Sequence, residues 1–167
     1  EILIQIPILS GTFFNSPFAD ESFSSFGRVE RTFGKIRASL RANFNYSKSN
    51  QFIEDTRSIN ESFSQSYTPE LRTNFKDLPN LRLRYGYSIT NNNQGDRKTK
   101  FITNSPSVVL DAYIWNSVTF KTDFTYTRQS QDEGASESFK TWNAFLAYRK
   151  DRDSKWEYEI NATNLLD

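Results

Sequence analysis

The chain has 167 residues, contains no Cys, His or Met, and carries a formal charge of +1 from 21 basic and 20 acidic residues. Without Cys and His, thiolate and imidazole metal sites and Ser-His-Asp triads are excluded. The charges are interspersed, so no basic stripe marks a nucleic-acid surface. The sequence therefore predicts no enzymatic activity, no cofactor, no metal site and no nucleic-acid partner.

Hydrophobic residues make up only 36% of the chain and aromatic residues 16%. A conventional core would be thin, whereas dense Phe and Tyr suit β-strands and the aromatic girdles of membrane barrels. No apolar run approaches the roughly 18 to 20 residues of a spanning helix. Any membrane crossing must therefore be made by strands, in which only alternate residues need be apolar.

The first third of the chain contains the clearest element. A strand is predicted over 23–33, then a short turn at Gly34, then a strong strand over 35–51 in which apolar residues from Ile36 to Tyr46 alternate with polar ones. That length suits a tilted strand crossing a bilayer. Alternating isoleucines at the start offer one more candidate strand, which Pro7 weakens; they are Ile2, Ile4, Ile6 and Ile8.

The middle of the chain adds a weaker strand over 57–75, a compact turn at 76–80 and a clear strand over 81–90. Residues 91–100 are polar and Asn-rich, which predicts a long loop.

Four more strands are predicted over 106–114, 118–128, 140–149 and 156–163. They are joined by a tight turn at 115–117, a long loop at 129–138 and a charged turn at 150–155. Alternation of short and long connections is typical of outer-membrane barrels, in which short turns face the periplasm. We therefore expect 91–100 and 129–138 on one rim, and 76–80, 115–117 and 150–155 on the other.

These elements predict an all-β fold, an antiparallel up-and-down transmembrane β-barrel segment of about eight or nine strands. The parity of each strand then divides its residues between two faces. The residues predicted to face lipid are Ile36, Leu40, Phe44, Leu83, Tyr85, Leu110, Phe120, Phe124, Leu146, Tyr158 and Ile160. Those predicted to face the lumen are Arg37, Arg41, Arg82, Arg84, Lys121, Asp123, Glu157 and Glu159. Aromatic anchors at the lipid–water interface are predicted at Trp115, Tyr126, Trp142, Tyr148 and Trp156.

The last predicted strand resembles a known family. Its sequence, WEYEINATNLLD over 156–167, is similar to the late-barrel segment of TonB-dependent outer-membrane receptors. The runs RTNF at 72–75, NSP at 104–106 and FTYT at 124–127 resemble the Bacteroidota branch of that family. The resemblance covers about four fifths of the chain.

The resemblance implies an integral outer-membrane protein that takes up a scarce nutrient with energy delivered by TonB through a plug domain. It also implies some 22 strands, so we expect residues 1–167 to be a partial barrel domain, without a plug or a closing strand. The implied partners are outer-membrane lipid, the remainder of the barrel and its plug, TonB, and a surface lipoprotein.

Two other interpretations remain open at this stage. One is a small autonomous outer-membrane barrel of about eight strands that acts as a structural, adhesin or secretion-assembly subunit. The other is a soluble all-β binding domain that uses exposed aromatic residues, for instance on carbohydrate.

Overall fold

The computed structural model describes residues 2–5, 10–12, 21–53, 56–76, 79–115, 117–132, 134, 136–151 and 153–166. Regular structure in this part of the chain consists of strands only. Their bounds are β1 (Ile2–Gln5), β2 (Ser10–Thr12), β3 (Glu21–Phe33), β4 (Ile36–Ile53), β5 (Thr56–Thr73), β6 (Asn80–Gln94), β7 (Arg97–Ile114), β8 (Val118–Gln131), β9 (Glu137–Tyr148) and β10 (Tyr158–Ala162). Among the described residues, no helix is long and apolar enough to cross a bilayer.

All ten strands belong to one antiparallel sheet. Strands β3 to β10 pair in chain order as an eight-stranded meander, and β1 and β2 both pair with β3. The predicted all-β, up-and-down antiparallel fold is confirmed. The sheet is not closed: within the described residues, β10 pairs only with β9.

Two prolines interrupt ladders without changing their register. The β5–β6 pairs stop at Tyr67–Tyr87 and resume at Glu70–Arg84, skipping Pro69. The β7–β8 pairs likewise skip Pro106. Proline has no N–H to donate, yet each proline still pairs on its other side, Pro69 with Leu40 and Pro106 with Tyr85. The long strands therefore tolerate central prolines.

The predicted long loops are wrong. β6 continues to Gln94 and β7 begins at Arg97, so only Gly95 and Asp96 connect them. β8 continues to Gln131 and β9 begins at Glu137. A period of two appears in a sequence only where the two faces differ in polarity, and these outer segments are polar on both faces. The backbones of these segments still pair as strands, but their sequences show no alternation of apolar and polar residues.

The connections nevertheless lie on two rims as predicted. The upper rim carries the connections after β4, β6 and β8, and the lower rim carries those after β3, β5, β7 and β9, because successive strands run in opposite directions. Gly34 and Gly95 adopt positive φ angles of 59° and 57° in two of these turns. The candidate N-terminal strand is found over Ile2–Gln5, while residues 6–9 lie outside the described part.

The sheet has almost no buried core. Among the described residues only Ala112 and Ala147 are buried, and many large apolar side chains are exposed. A single sheet has no second layer to cover its apolar face.

Candidate functional surfaces of the sheet

The strand register divides the side chains between two faces, because directly paired residues project to the same side. All eleven residues predicted to face lipid lie on one side, the apolar face. The residues predicted to face the lumen lie on the other, the polar face. Glu157 precedes β10, accepts a hydrogen bond from Arg149, and lines a depression on the polar face with Thr119 and Ala147. Contact of these faces with lipid and lumen stays a prediction.

Apolar side chains on the apolar face form a continuous band across eight strands. On this face the band spans 23–33 on β3, 36–46 on β4, 63–71 on β5, 81–89 on β6, 102–114 on β7, 118–126 on β8, 142–148 on β9 and 158–162 on β10. Its one charged residue among these described positions is Arg31, whose guanidinium lies 4.7 Å from the centroid of the Phe33 ring. That position is at the lower edge of the band.

The band runs obliquely to the strands. One row of paired residues joins Ala38 on β4 to Trp142 on β9, through Leu71, Leu83, Val108 and Phe124. Ala38 lies near the lower end of the band on β4, whereas Trp142 is the uppermost residue of the band on β9. Averaged over both edges, the band moves by about one residue per strand, which corresponds to a strand tilt of about 35° at ~3.3 Å per residue and ~4.8 Å per strand.

Polar atoms on the apolar face are bonded to one another. The Tyr85 hydroxyl donates to Asn104 Oδ1 at 2.7 Å, and the Tyr67 hydroxyl donates to Gln65 Oε1 at 3.2 Å. Trp142 Nε1 donates to Thr122 Oγ1 at 2.9 Å. These bonds reduce the number of polar groups that this face would leave without a partner in an apolar medium.

The five predicted interface aromatics lie at the edges of the band. Tyr126 and Trp142 end it on β8 and β9 at the upper side. At the lower side, Tyr148 pairs with Val118, Trp115 is 88% exposed in the β7–β8 turn, and Trp156 is 75% exposed before β10. Their role as anchors stays a prediction.

The polar face carries ion pairs and hydrogen-bonded side chains. Arg84 donates from Nε and Nη2 to Glu70 Oε2 at 3.0 and 2.8 Å. Asn143 Nδ2 donates to Asp123 Oδ2 at 2.9 Å, and Lys121 Nζ lies 5.9 Å from the Phe145 ring centroid. A depression of about 380 Å³ on this face is lined in part by Arg41, Glu70 and Arg84.

A row of arginines crosses three neighbouring strands on the polar face. Arg72 on β5 pairs directly with Arg37 on β4 and with Arg82 on β6. Arg37 Nε lies 3.4 Å from Glu30 Oε1, but Arg72 and Arg82 form no ion pair with a described residue, and the buried Arg82 Nε has no hydrogen-bond partner among them. Like charges directly opposite one another are unfavourable.

Sequence reasoning missed the residues that complete this polar face, namely Glu30, Glu70 and Arg72. The signal for Glu70 and Arg72 was present, because apolar residues at odd positions of the weak 57–75 strand imply that its even positions lie on the other side. No group of three carboxylates that could hold a metal ion occurs among the described residues.

No family model, curated protein or solved structure matches this chain.

Proposed function

We propose that this chain is a membrane-spanning part of an outer-membrane β-barrel, with the apolar face against lipid and the polar face lining the lumen. The oblique apolar band is the observation that carries the proposal. Strands of transmembrane barrels are tilted by about 35–45°, so a band parallel to the membrane must cross them obliquely. The tilt derived from the register agrees with that range.

The height of the band supports the same interpretation. On β8 it spans nine residues, 118–126, which is about 26 Å along the strand and about 20 Å along the normal of the membrane at that tilt. The apolar belt of outer-membrane barrels is about 25 Å tall. A soluble binding domain would need a second layer over these side chains.

The strand extensions at the upper rim support an orientation with that rim outside the cell. Beyond the band, β4 and β5 continue to Ile53 and Thr56, and β6 and β7 continue to Gln94 and Arg97. Most residues there are polar; the apolar ones are Phe52, Ile53, Ile59 and Phe101. Outer-membrane barrels carry their longer connections on the extracellular side.

The open sheet supports a barrel completed by further strands. Within the described residues, β10 has one pairing partner, and an unpaired strand edge in hydrocarbon would leave backbone groups without hydrogen bonds. The long charged residues of the polar face also suit a wide lumen better than the side-chain-filled interior of an eight-stranded barrel.

Within this frame we propose that the barrel is a TonB-dependent transporter that takes up a scarce nutrient. The support for this step is the sequence resemblance of residues 156–167 and of the shorter runs upstream. No chemistry is required of these residues, because the wall seals the membrane while the transport energy comes from TonB acting on a plug.

Charge substitution on the two faces tests the membrane assignment. Leu40→Arg, in the middle of the band on β4, should cost on the order of 2–4 kcal/mol of stability in a lipid bilayer. Ser39→Arg, the adjacent residue on the polar face, is the matched control and should cost little. Equal costs in unfolding experiments on the reconstituted protein would reject the assignment of the faces.

Genetic epistasis tests the uptake role. In the native host, growth under nutrient limitation is compared between strains lacking this protein, lacking TonB, or lacking both. We expect the double disruption to grow no worse than the TonB disruption on the nutrient that this protein takes up. An additive defect would show that the protein works independently of TonB, which would favour the small-barrel alternative.

A further inference from the structure

The upper edge of the apolar band differs in charge between the two halves of the sheet. On β3, β4 and β5, the edge is mixed: Lys48 lies 4.0 Å from Glu21 and directly opposite Glu61. On β7, β8 and β9, the first residue above the band on the same face is a cation in each case. Lys100 lies next above Ile102, Arg128 next above Tyr126, and Lys140 next above Trp142.

These three cations, with Lys98 one step above Lys100, form what we term the cationic edge. Their positions follow the oblique line of the band. Arg128 pairs with Ser138, so Lys140 is its diagonal neighbour at about 7–8 Å between Cα atoms. Lys100 lies on the adjacent strand β7, two same-face positions above the residue that pairs with Arg128. The Cα atoms of Lys100 and Arg128 are therefore roughly 14 Å apart.

No described residue neutralises the cationic edge. Its members form no ion pair within 4.0 Å, and no Asp or Glu occupies a strand position of β6–β9 on this face among the described residues. Arg128 Nη2 donates a hydrogen bond to Ser136 Oγ at 3.4 Å. Asp96 and Asp132, in the turns after β6 and β8, are exposed and make no such pair. With no described acidic residue paired to them, these cations give the edge a positive potential, which favours an anionic partner.

We propose that the cationic edge binds a lipid whose headgroup carries phosphate groups. This inference rests on the proposed function, because it takes the apolar face to be in contact with lipid. A partner at the upper edge of the band must then lie at headgroup level, with its acyl chains against the apolar side chains directly below. Guanidinium and ammonium groups are the usual ligands of phosphate, and the separation of Lys100 from Arg128 and Lys140 suits a headgroup with more than one phosphate.

The test uses the full protein reconstituted in phosphatidylcholine bilayers with increasing amounts of diphosphoryl lipid A. Each cation near an anionic surface contributes about fivefold to binding. Replacing Arg128→Gln and Lys140→Gln together should therefore weaken lipid A binding by about 25-fold. High salt should weaken binding to the unchanged protein as well, because the contact is ionic.

The matched control is Arg97→Gln with Lys155→Gln, which removes the same charge. Arg97 lies on β7 beside Lys98 but on the opposite face, and Lys155 lies at the lower rim. This control should bind lipid A as the unchanged protein does. Arg128→Lys with Lys140→Arg keeps both charges and should retain binding, which separates the loss of charge from a fault in folding.

The outcomes separate the two levels of the proposal. If the protein does not insert into phosphatidylcholine bilayers, the proposed function fails. If it inserts but Arg128→Gln with Lys140→Gln leaves lipid A binding unchanged, the cationic edge is not a lipid site and this inference fails alone. If inorganic phosphate at millimolar concentration displaces lipid A completely, the site takes free phosphate rather than a lipid.

Discussion

At the level of single residues, polar groups on the apolar face are made compatible with an apolar medium by pairing. The Thr122 hydroxyl serves two neighbours: it accepts from Trp142 Nε1 at 2.9 Å and donates to the Asn143 carbonyl oxygen at 2.8 Å. Trp142 can therefore present its ring at the edge of the band while its N–H stays bonded. An unpaired N–H in a low-dielectric environment is costly.

Thr122→Val should destabilise the protein in a bilayer by about 1–3 kcal/mol, because it leaves the indole N–H without its acceptor while keeping the shape of the side chain. Thr125→Val, on the polar face of the same strand, is the control and should be near neutral. Unfolding by urea in lipid vesicles gives both values. Removing the donor as well, by Trp142→Phe, should make the Thr122→Val cost smaller; an unchanged cost would show that this bond contributes nothing.

The arginine row on the polar face makes a second prediction at this scale. Arg72 lies between Arg37 and Arg82, so Arg72→Glu replaces two like-charge contacts by two opposite-charge contacts. We expect the full protein in detergent to gain about 1 kcal/mol of stability. Arg84→Glu should lower stability, because it places a second carboxylate against Glu70. Thermal unfolding measures both, and a loss of stability in Arg72→Glu would contradict the account of the row.

At the level of elements, turns with positive φ fix the hairpins. Gly95 joins β6 to β7 with a φ of 57°, a conformation that residues with a Cβ adopt at a cost of about 1–2 kcal/mol. Gly27 lies within β3, where an added Cβ would meet nothing within 4 Å. The two glycines therefore differ in the reason for their presence.

Gly95→Ala should cost about 1–2 kcal/mol of unfolding free energy. Gly27→Ala should be neutral or slightly stabilising, because alanine restricts the unfolded chain more than glycine does. Chemical denaturation of the two variants side by side gives the comparison. The turn assignment would be wrong if the two substitutions had the same effect.

The period of two made most strands and both faces predictable from the sequence, because the faces of 36–46, 81–89 and 118–126 differ sharply in polarity. It could not reveal the extensions of β6 to Gln94 and of β8 to Gln131, where both faces are polar. Nor could it give the register. The Arg72–Arg82 pair depends on the length of the turn between β5 and β6, which Asn80 closes by bonds to the Phe75 backbone at 2.6 and 3.0 Å. The face on which a residue lies follows from the alternation within its own strand, whereas the register between two strands is set by the turn that joins them.

At the level of the whole molecule, one sheet presents an apolar band on one side and an ionic surface on the other. Such a sheet is unstable in water unless its apolar face is covered, and the described residues hold no second layer to cover it. In the proposed arrangement a bilayer would cover the band, and further strands of the barrel would pair with the open edges of the sheet. The fold, the lack of a core and the oblique band thus have one explanation.

Site-directed spin labelling along β8 tests this explanation most directly. The chain has no Cys, so a single cysteine at each position from 118 to 126 carries the only label. In reconstituted bilayers, even positions should be accessible to dissolved oxygen and odd positions to a water-soluble nickel chelate, in strict alternation. Equal access of the nickel chelate to both sets of positions would contradict a membrane-spanning sheet.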